Sequence, residues 1–90
     1  MKRLRWSQEK NELLKRTRGV SFEEVVFHIE RDEVLDVRRH PNQERYPNQM
    51  IFVVDLAEYV YLVPFIEDDE EIFLKTIIPS RKAKKEFHDD

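Results

Sequence analysis

The fold of this 90-residue chain is decided by residues 49–66, which read QMIFVVDLAEYVYLVPFI. Two apolar runs of strand length flank the short link Leu56-Ala57-Glu58, which is the pattern of an antiparallel hairpin. The second run, Tyr59–Ile66, is apolar on both faces, so we expect a strand that is central or covered on both sides. Pro64 interrupts this run, and because proline has no N–H to donate to a ladder, we expect a β-bulge there.

The residues before the hairpin predict two helices that meet at a tight corner. Ser7 is a suitable N-cap for a helix over Gln8–Arg18, and Gly19 is suited to end it in the left-handed conformation. Ser21 and Glu24 have the spacing of a capping box, which predicts a second helix from about Phe22 to about Glu30.

The remaining segments predict two further strands and a final short helix. The strands are expected over Glu33–Arg39 and Glu71–Ile78, and a helix capped by Ser80 is expected from Arg81 to about Phe87. A loop containing two prolines and two asparagines covers residues 40–48. The order helix, helix, four strands, helix predicts a single α+β domain over residues 1–90 with a four-stranded antiparallel meander sheet.

Composition excludes several classes of protein. Hydrophobic residues make up 40% of the chain and charged residues 39%, which is too apolar for a disordered chain. The chain is too short for a doubly wound nucleotide-binding domain or a barrel enzyme. It has no cysteine, which excludes disulfides, thiolate zinc sites and cysteine nucleophiles and agrees with a cytoplasmic location. No apolar run approaches the length of a membrane-spanning helix, and the N-terminus lacks the apolar region of a signal peptide.

The formal net charge of −3 conceals a block arrangement of charge along the chain. Residues 1–19 hold seven basic and two acidic residues, residues 50–74 hold seven acidic and no basic residues, and residues 75–85 hold five basic and no acidic residues. Such blocks can give a compact domain one basic and one acidic face. The alternative is an ordinary solvated surface without a special pattern.

Three stretches together resemble a known family. They are residues 6–11 (WSQEKN), residues 18–24 (RGVSFEE) and residues 77–87 (IIPSRKAKKEF). Their order and spacing resemble the BrnT-like toxins of bacterial type II toxin–antitoxin systems, which belong to the RelE-like group of small ribonucleases. This chain departs from the family at Arg18, where a histidine is usual, at Pro79-Ser80, which replaces Ser-Ala, and through residues 40–49.

The resemblance implies a toxin with a RelE-like fold that cleaves mRNA as an endoribonuclease without a metal or another cofactor. It also implies a cognate antitoxin protein, encoded by a neighbouring gene, that covers the basic face and binds operator DNA. The toxin would therefore reach DNA only through the antitoxin. Such an antitoxin commonly adds a helix or a strand, and residues 33–39 or residues 49–56 are the candidate sheet edges.

Metal-free RNA cleavage needs a base for the ribose 2′-OH, an acid for the leaving 5′-oxygen and cations for the charge of the phosphorane. Arg81 and Lys82 are the first catalytic candidates, because Arg81 opens the last helix and can hold a phosphate with two hydrogen bonds. In the alternative reading, the basic helix is solvated and only balances the acidic turn. His40 is the candidate acid or base, with Tyr46 as a substitute, although a loop histidine can also merely cap a strand end.

The remaining basic side chains are candidates for RNA binding rather than for chemistry. Lys75 either borders a groove or extends to solvent, and Lys10 either contacts RNA or lies over Leu14. The full set of RNA-binding candidates is Lys10, Arg18, Arg39, Arg45, Lys75, Lys84 and Lys85. No metal site is expected, since the three histidines are widely separated.

Two other functions are compatible with the same residues. One is a non-catalytic module of the same fold that binds a partner protein. The other is a plain nucleic-acid binder that uses the basic ends and whose affinity falls steeply with salt.

Overall fold

The computed structural model describes residues 2–88, and Met1, Asp89 and Asp90, which the domain prediction included, lie outside the described residues. The order of elements differs from the predicted one in that a short strand precedes the first helix. In chain order they are β1 (Arg3–Arg5), α1 (Gln8–Arg18), α2 (Phe22–Glu30), β2 (Asp36–Arg39), β3 (Gln49–Leu56), β4 (Tyr59–Glu67), β5 (Glu71–Leu74), β6 (Ile78–Pro79) and α3 (Arg81–His88).

The sheet is mixed, so the predicted four-stranded antiparallel meander is wrong, whereas the α+β class is confirmed. The strand order is β1-β5-β4-β3-β2, and β6 pairs with β4 beyond the end of β5. The pairing of β1 with β5 is parallel, and every other pairing is antiparallel. The predicted strand over residues 71–78 is divided into β5 and β6.

The N-terminal strand β1 was not predicted because three residues are too short to show a period. Its position is set by pairing with β5 and by charge, since the basic N-terminus lies beside the acidic β4–β5 turn. Lys2 forms an ion pair with Glu67 at 2.6 Å, and Arg5 forms one with Glu71 at 3.3 Å. Partners separated by more than 60 residues cannot be identified from local sequence pattern.

The predicted bulge at Pro64 is absent, since β3 and β4 pair in one unbroken register from Gln49 and Ile66 to Leu56 and Tyr59. The carbonyl of Pro64 accepts a hydrogen bond of 2.8 Å from the Lys75 N–H, so the backbone groups of Pro64 point away from β3. On that side β5 has ended and β6 has not begun. The missing N–H therefore coincides with a break in the neighbouring strand.

The two N-terminal helices have the predicted bounds because their end signals are local. The Ser7 hydroxyl accepts a hydrogen bond from the Lys10 N–H, and Gly19 ends α1 with φ of 68°. The capping box of Ser21 and Glu24 is present at the start of α2.

The buried side chain of Asn11 joins α1 to α2. Its Oδ1 accepts a hydrogen bond of 2.8 Å from the Phe22 N–H, and its Nδ2 donates one of 2.8 Å to Glu23 Oε1. The hydrogen bond from Asn11 holds the pKa of Glu23 below its ordinary value. This pair of bonds fixes the corner between the helices.

Two apolar layers lie on opposite faces of the sheet. The first, between the sheet and the α1–α2 pair, is built around Leu14, Phe22, Val54 and Phe65. The second, between the sheet and α3, contains Ile51, Val53, Val60 and Ala83, with Leu62 and Phe87 at its margin. The prediction that Tyr59–Ile66 is covered on both faces is therefore confirmed in outline. Among residues 2–88, no helix has the length and apolarity needed to cross a bilayer.

Candidate functional site

A cleft lies where the start of α3 meets the sheet. It has a volume of about 310 Å³. Its apolar part comes from Ile51 and Leu62 of the sheet and from Ala83 of α3. Its polar part comes from the end of β2 and from one side of α3. The lining residues are Arg38, Arg39, Pro41, Ile51, Leu62, Ser80, Lys82, Ala83 and Glu86.

Two of the residues predicted from the sequence line this cleft together. Lys82 is contributed by α3, and Arg39 by the end of β2, 43 positions earlier in the chain. Pro41, the first residue after His40, also lines it. The fold thus brings two separate candidate segments to one place: the last helix, and the end of the second strand with the start of the loop that follows it.

Ser80 attaches the start of α3 to the sheet. Its N–H donates a hydrogen bond of 3.0 Å to the Val60 carbonyl, and its hydroxyl accepts one of 3.1 Å from the Ala83 N–H. The predicted N-cap is therefore present. Since both bonds involve the first turn of α3, they hold Lys82 in position at the cleft wall.

Arg38 is a cleft residue whose charge is already compensated. Its Nε donates to Asp36 Oδ2 at 2.7 Å, and its Nη2 donates to Glu86 Oε2 at 2.5 Å. Its guanidinium carbon also lies 5.5 Å from the centre of the Phe87 ring. The hydrogen bond with Asp36, and after it the one with Glu86, raises the pKa of Arg38, and the same guanidinium lowers the pKa of Asp36. Arg38 therefore positions α3 on the sheet and keeps the Glu86 carboxylate at the cleft.

No local pattern in the sequence selects Arg38 and Glu86 as a pair. They are separated by 48 positions, and each stands among several residues of the same sign. The only available signal was the placement of Glu86 in the conspicuous segment 77–87. By contrast, Lys82 has no ion pair with any acidic side chain of residues 2–88 and remains available to a ligand.

Arg81 does not share the cleft with its neighbour Lys82, although the two were predicted to act in one site. Arg81 lines a second depression of about 330 Å³ together with Tyr59, Lys84 and Lys85. Lys84 Nζ lies 5.8 Å from the centre of the Tyr59 ring. Consecutive residues of an α-helix are rotated by about 100°, so the two cations point to different sides of α3.

His40 and Tyr46 are in contact, as the sequence allowed but did not require. Their ring centres are 4.4 Å apart, and the Arg45 guanidinium carbon lies 5.5 Å from the Tyr46 ring centre. The Nδ1 of His40 accepts a hydrogen bond of 3.0 Å from the Asn42 N–H. In its neutral form this ring therefore carries its proton on Nε2 and can act there as a donor. His40 is half-buried between Arg39 and Pro41 but does not itself line the cleft.

Three of the predicted RNA contacts lie away from the cleft. Lys10 borders a separate depression on α1, which packs on the sheet face opposite α3. Arg18 donates a hydrogen bond of 2.5 Å from Nη1 to the Ile77 carbonyl and thereby attaches the end of α1 to the segment between β5 and β6. Lys75 is exposed in that same segment.

Comparison with known proteins does not add a family to this description. The chain matches no protein-family model, no curated protein and no solved structure. In residues 2–88 no three His, Cys, Asp or Glu side chains are placed to hold one metal ion.

Proposed function

We propose that this protein is the toxin of a type II toxin–antitoxin pair and cleaves mRNA in the cytoplasm as a metal-independent endoribonuclease. The observation that carries the proposal is the meeting of Lys82, Arg39 and the His40 loop around one cleft. Lys82 belongs to the last helix and Arg39 to the stretch before the His40 loop, and both line the same cleft although they are far apart in the chain. The resemblance of residues 6–11, 18–24 and 77–87 to the BrnT-like toxins supports the same reading.

Residues of the cleft, together with His40 and Tyr46 beside it, can divide the work of RNA cleavage among them. The ribose 2′-oxygen attacks the adjacent phosphorus, the bond from phosphorus to the 5′-oxygen breaks, and the products carry a 2′,3′-cyclic phosphate and a 5′-hydroxyl. Lys82 and Arg39 are assigned to the charge that develops on the phosphorane. The Glu86 carboxylate is assigned to accept the 2′-OH proton. Protonated His40, whose Nδ1 then no longer accepts from the Asn42 N–H, is assigned to give its Nε2 proton to the leaving 5′-oxygen and become neutral, with Tyr46 against the ring.

The second depression extends the proposed RNA path across the start of α3. Arg81, Lys84 and Lys85 lie around Tyr59 there. We assign these cations to the phosphates that flank the cleaved bond. In this assignment Arg81 binds RNA, while Lys82 is the α3 cation closest to the chemistry.

The test is RNA cleavage by purified protein in the presence of EDTA, with the ends of the products identified. Lys82→Ala is expected to lower the rate by roughly 100-fold, because a cation that stabilises developing charge contributes on that scale. Arg81→Ala is expected mainly to weaken RNA binding. Lys15→Ala on α1 is the matched control, since it removes a lysine far from the cleft and is expected to leave cleavage unchanged.

Induced expression in bacteria supplies the cellular half of this test. The unmodified chain is expected to arrest growth with loss of intact mRNA, and co-expression of the neighbouring gene is expected to relieve the arrest. Intact RNA at micromolar protein, with and without ribosomes, would refute the enzymatic proposal.

A second candidate function is a non-catalytic binding module of the same fold. It is favoured by the engagement of two arginines in structural bonds, Arg18 with the Ile77 carbonyl and Arg38 with Asp36 and Glu86. Under this reading, the protein binds RNA or a partner protein without cleavage. Two results together would establish it: binding to a single-stranded RNA with an affinity that falls steeply with salt, and RNA that is still intact after long incubation.

A further inference from the structure

The outer strand β2 presents an unoccupied edge of the sheet. Within residues 2–88 it pairs with β3 alone, and it lies at one end of the strand order. Its side chains divide by face: Asp36 and Arg38 lie on the α3 side, where they pair in register with Val53 and Ile51. Val37 lies on the opposite face and is 50% exposed.

Alternation along the strand decides which backbone groups point outward. The His40 N–H donates to the Gln49 carbonyl, so residues 36, 38 and 40 turn their backbone groups toward β3. The N–H and C=O groups of Val37 and Arg39 therefore point away from the sheet. The Val37 N–H is covered only by Asp36 Oδ1, at 2.8 Å. A carboxylate that covers an edge N–H in this way can be replaced by a strand that brings a carbonyl.

We propose that β2 pairs with β2 of a second copy of this chain, antiparallel, about a two-fold axis through Val37 and perpendicular to the sheet. In such a pairing, side chains that meet across the interface belong to the same face. An axis through Asp36, Arg38 or Arg39 would set like charges directly opposite each other, which is unfavourable. The axis through Val37 instead sets Asp36 opposite Arg38 of the second copy, and it does so twice.

The same register also satisfies the backbone. Val37 becomes a hydrogen-bonded pair with Val37 of the second copy, so each N–H donates to the other's carbonyl. Asp36 and Arg38 then form the closer, non-hydrogen-bonded pair, with Cα atoms about 4.5 Å apart. Asp36 Oδ1, which no longer accepts from the Val37 N–H, can then accept a hydrogen bond from the Arg38 guanidinium of the second copy. Asp36 and Arg38 already form a 2.7 Å bond within one chain, so no charge has to be created.

The size of the contact sets its strength. A strand of four residues buries far less than the roughly 1,200 Å² of a stable specific interface. The dimer is therefore one that forms as concentration rises and dissociates on dilution. It shares Arg38 with the wall of the cleft, and its test does not depend on any activity on RNA.

Sedimentation equilibrium over a wide concentration range tests the dimer directly. The unmodified chain is expected to show reversible monomer–dimer behaviour. Val37→Pro is expected to abolish the dimer, because it removes the outward N–H without disturbing the ladder to β3. Val37→Thr keeps the N–H and is the matched control that should still dimerise. Circular dichroism and thermal unfolding of each variant establish that the fold is retained.

A charge exchange tests the register. In Asp36→Arg both charged positions that meet across the axis are basic, and in Arg38→Asp both are acidic, so each variant alone is expected to be monomeric. Mixed in equal amounts, the two variants are expected to form a heterodimer, because both pairs between positions 36 and 38 then join opposite charges. A monomeric unmodified chain at the highest concentration, a dimer that survives Val37→Pro, or a mixture that stays monomeric would each overturn the proposal. If Arg38→Asp fails to fold, the comparison of Val37→Pro with Val37→Thr decides alone.

Discussion

Asn11→Ala is expected to lower the free energy of unfolding by about 2 kcal/mol. The Asn11 side chain is fully buried, and its Oδ1 accepts a hydrogen bond from the Phe22 N–H. Phe22 is also fully buried. Leaving a buried donor without a partner costs roughly 1–3 kcal/mol. The bond from Nδ2 to the exposed carboxylate of Glu23 adds little, because water can replace it. The higher helix propensity of alanine returns about 0.5 kcal/mol.

Urea unfolding followed by the fluorescence of Trp6 measures this loss at the corner itself, because Trp6 stacks on Phe22 with ring centres 5.8 Å apart. For a domain of this size, 2 kcal/mol corresponds to a decrease of roughly 8–16 °C in the melting temperature. Gln8→Ala is the control. Gln8 is exposed, and the hydrogen bond that its Oε1 accepts from Asn11 Nδ2 is long, at 3.5 Å, so the effect on stability should stay within about 0.5 kcal/mol.

Asn11→Asp separates the two bonds of this side chain. It keeps an acceptor for the Phe22 N–H but sets a second carboxylate against Glu23. We expect a loss of stability at neutral pH that is partly recovered when the pH falls below the carboxylate range. An Asn11→Ala variant that loses less than about 0.5 kcal/mol at unchanged denaturant dependence would refute the assigned role of the Phe22 bond.

Three other predictions concern the caps, the response to acid and the attachment of α3. Gly19→Ala should cost about 1 kcal/mol in urea unfolding from backbone strain alone, because φ is 68° and an added Cβ would meet no atom within 4 Å; an unchanged midpoint would contradict this. The N–H groups of Glu71 and Glu70 lower the pKa of Asp68 below its ordinary 3.8, so this carboxylate stabilises the fold above pH 3.8 and loses that contribution as pH falls through the lowered value. Asp68→Asn should therefore flatten the pH dependence of stability in acid, as acid titrations of the unmodified and variant chains would show. His88→Ala removes the 2.6 Å contact of His88 Nε2 with Asp55 Oδ2, and hydrogen exchange should become faster in the last turn of α3 while β3 is unaffected.

The helices could be read from the sequence because each of their signals acts within a few residues. Ser7, Gly19 and the Ser21–Glu24 box satisfy backbone groups three or four positions away, and the bounds of α1 and α2 agree with prediction. The strand β3 was likewise predicted with its observed bounds, since its apolar run is long. The predicted strand over residues 33–39 is shorter in the structure, where it covers Asp36–Arg39.

The candidate site was only partly predictable, because it depends on which face of a helix or strand each residue occupies. Lys82 and Arg39 were selected from charge and position, and the fold brings them to one cleft. Arg81 was paired with Lys82 on the basis of adjacency, but adjacent helical residues diverge. The Arg38–Glu86 bond that completes the cleft joins β2 to α3, and nothing within either segment indicates the partner.

The fold class, the two capped helices, the central hairpin and the segments that carry the cationic candidates can all be predicted from the amino-acid sequence. Those features follow from propensity, capping and periodicity, which operate over one or two turns of chain. Four features became visible only in the folded chain: the parallel pairing of β1, the strand break opposite Pro64, the separation of Arg81 from Lys82 and the exposed edge at β2. Each of these depends on contacts between residues far apart in the chain, and such contacts are selected by the packing of the whole domain rather than by any local pattern.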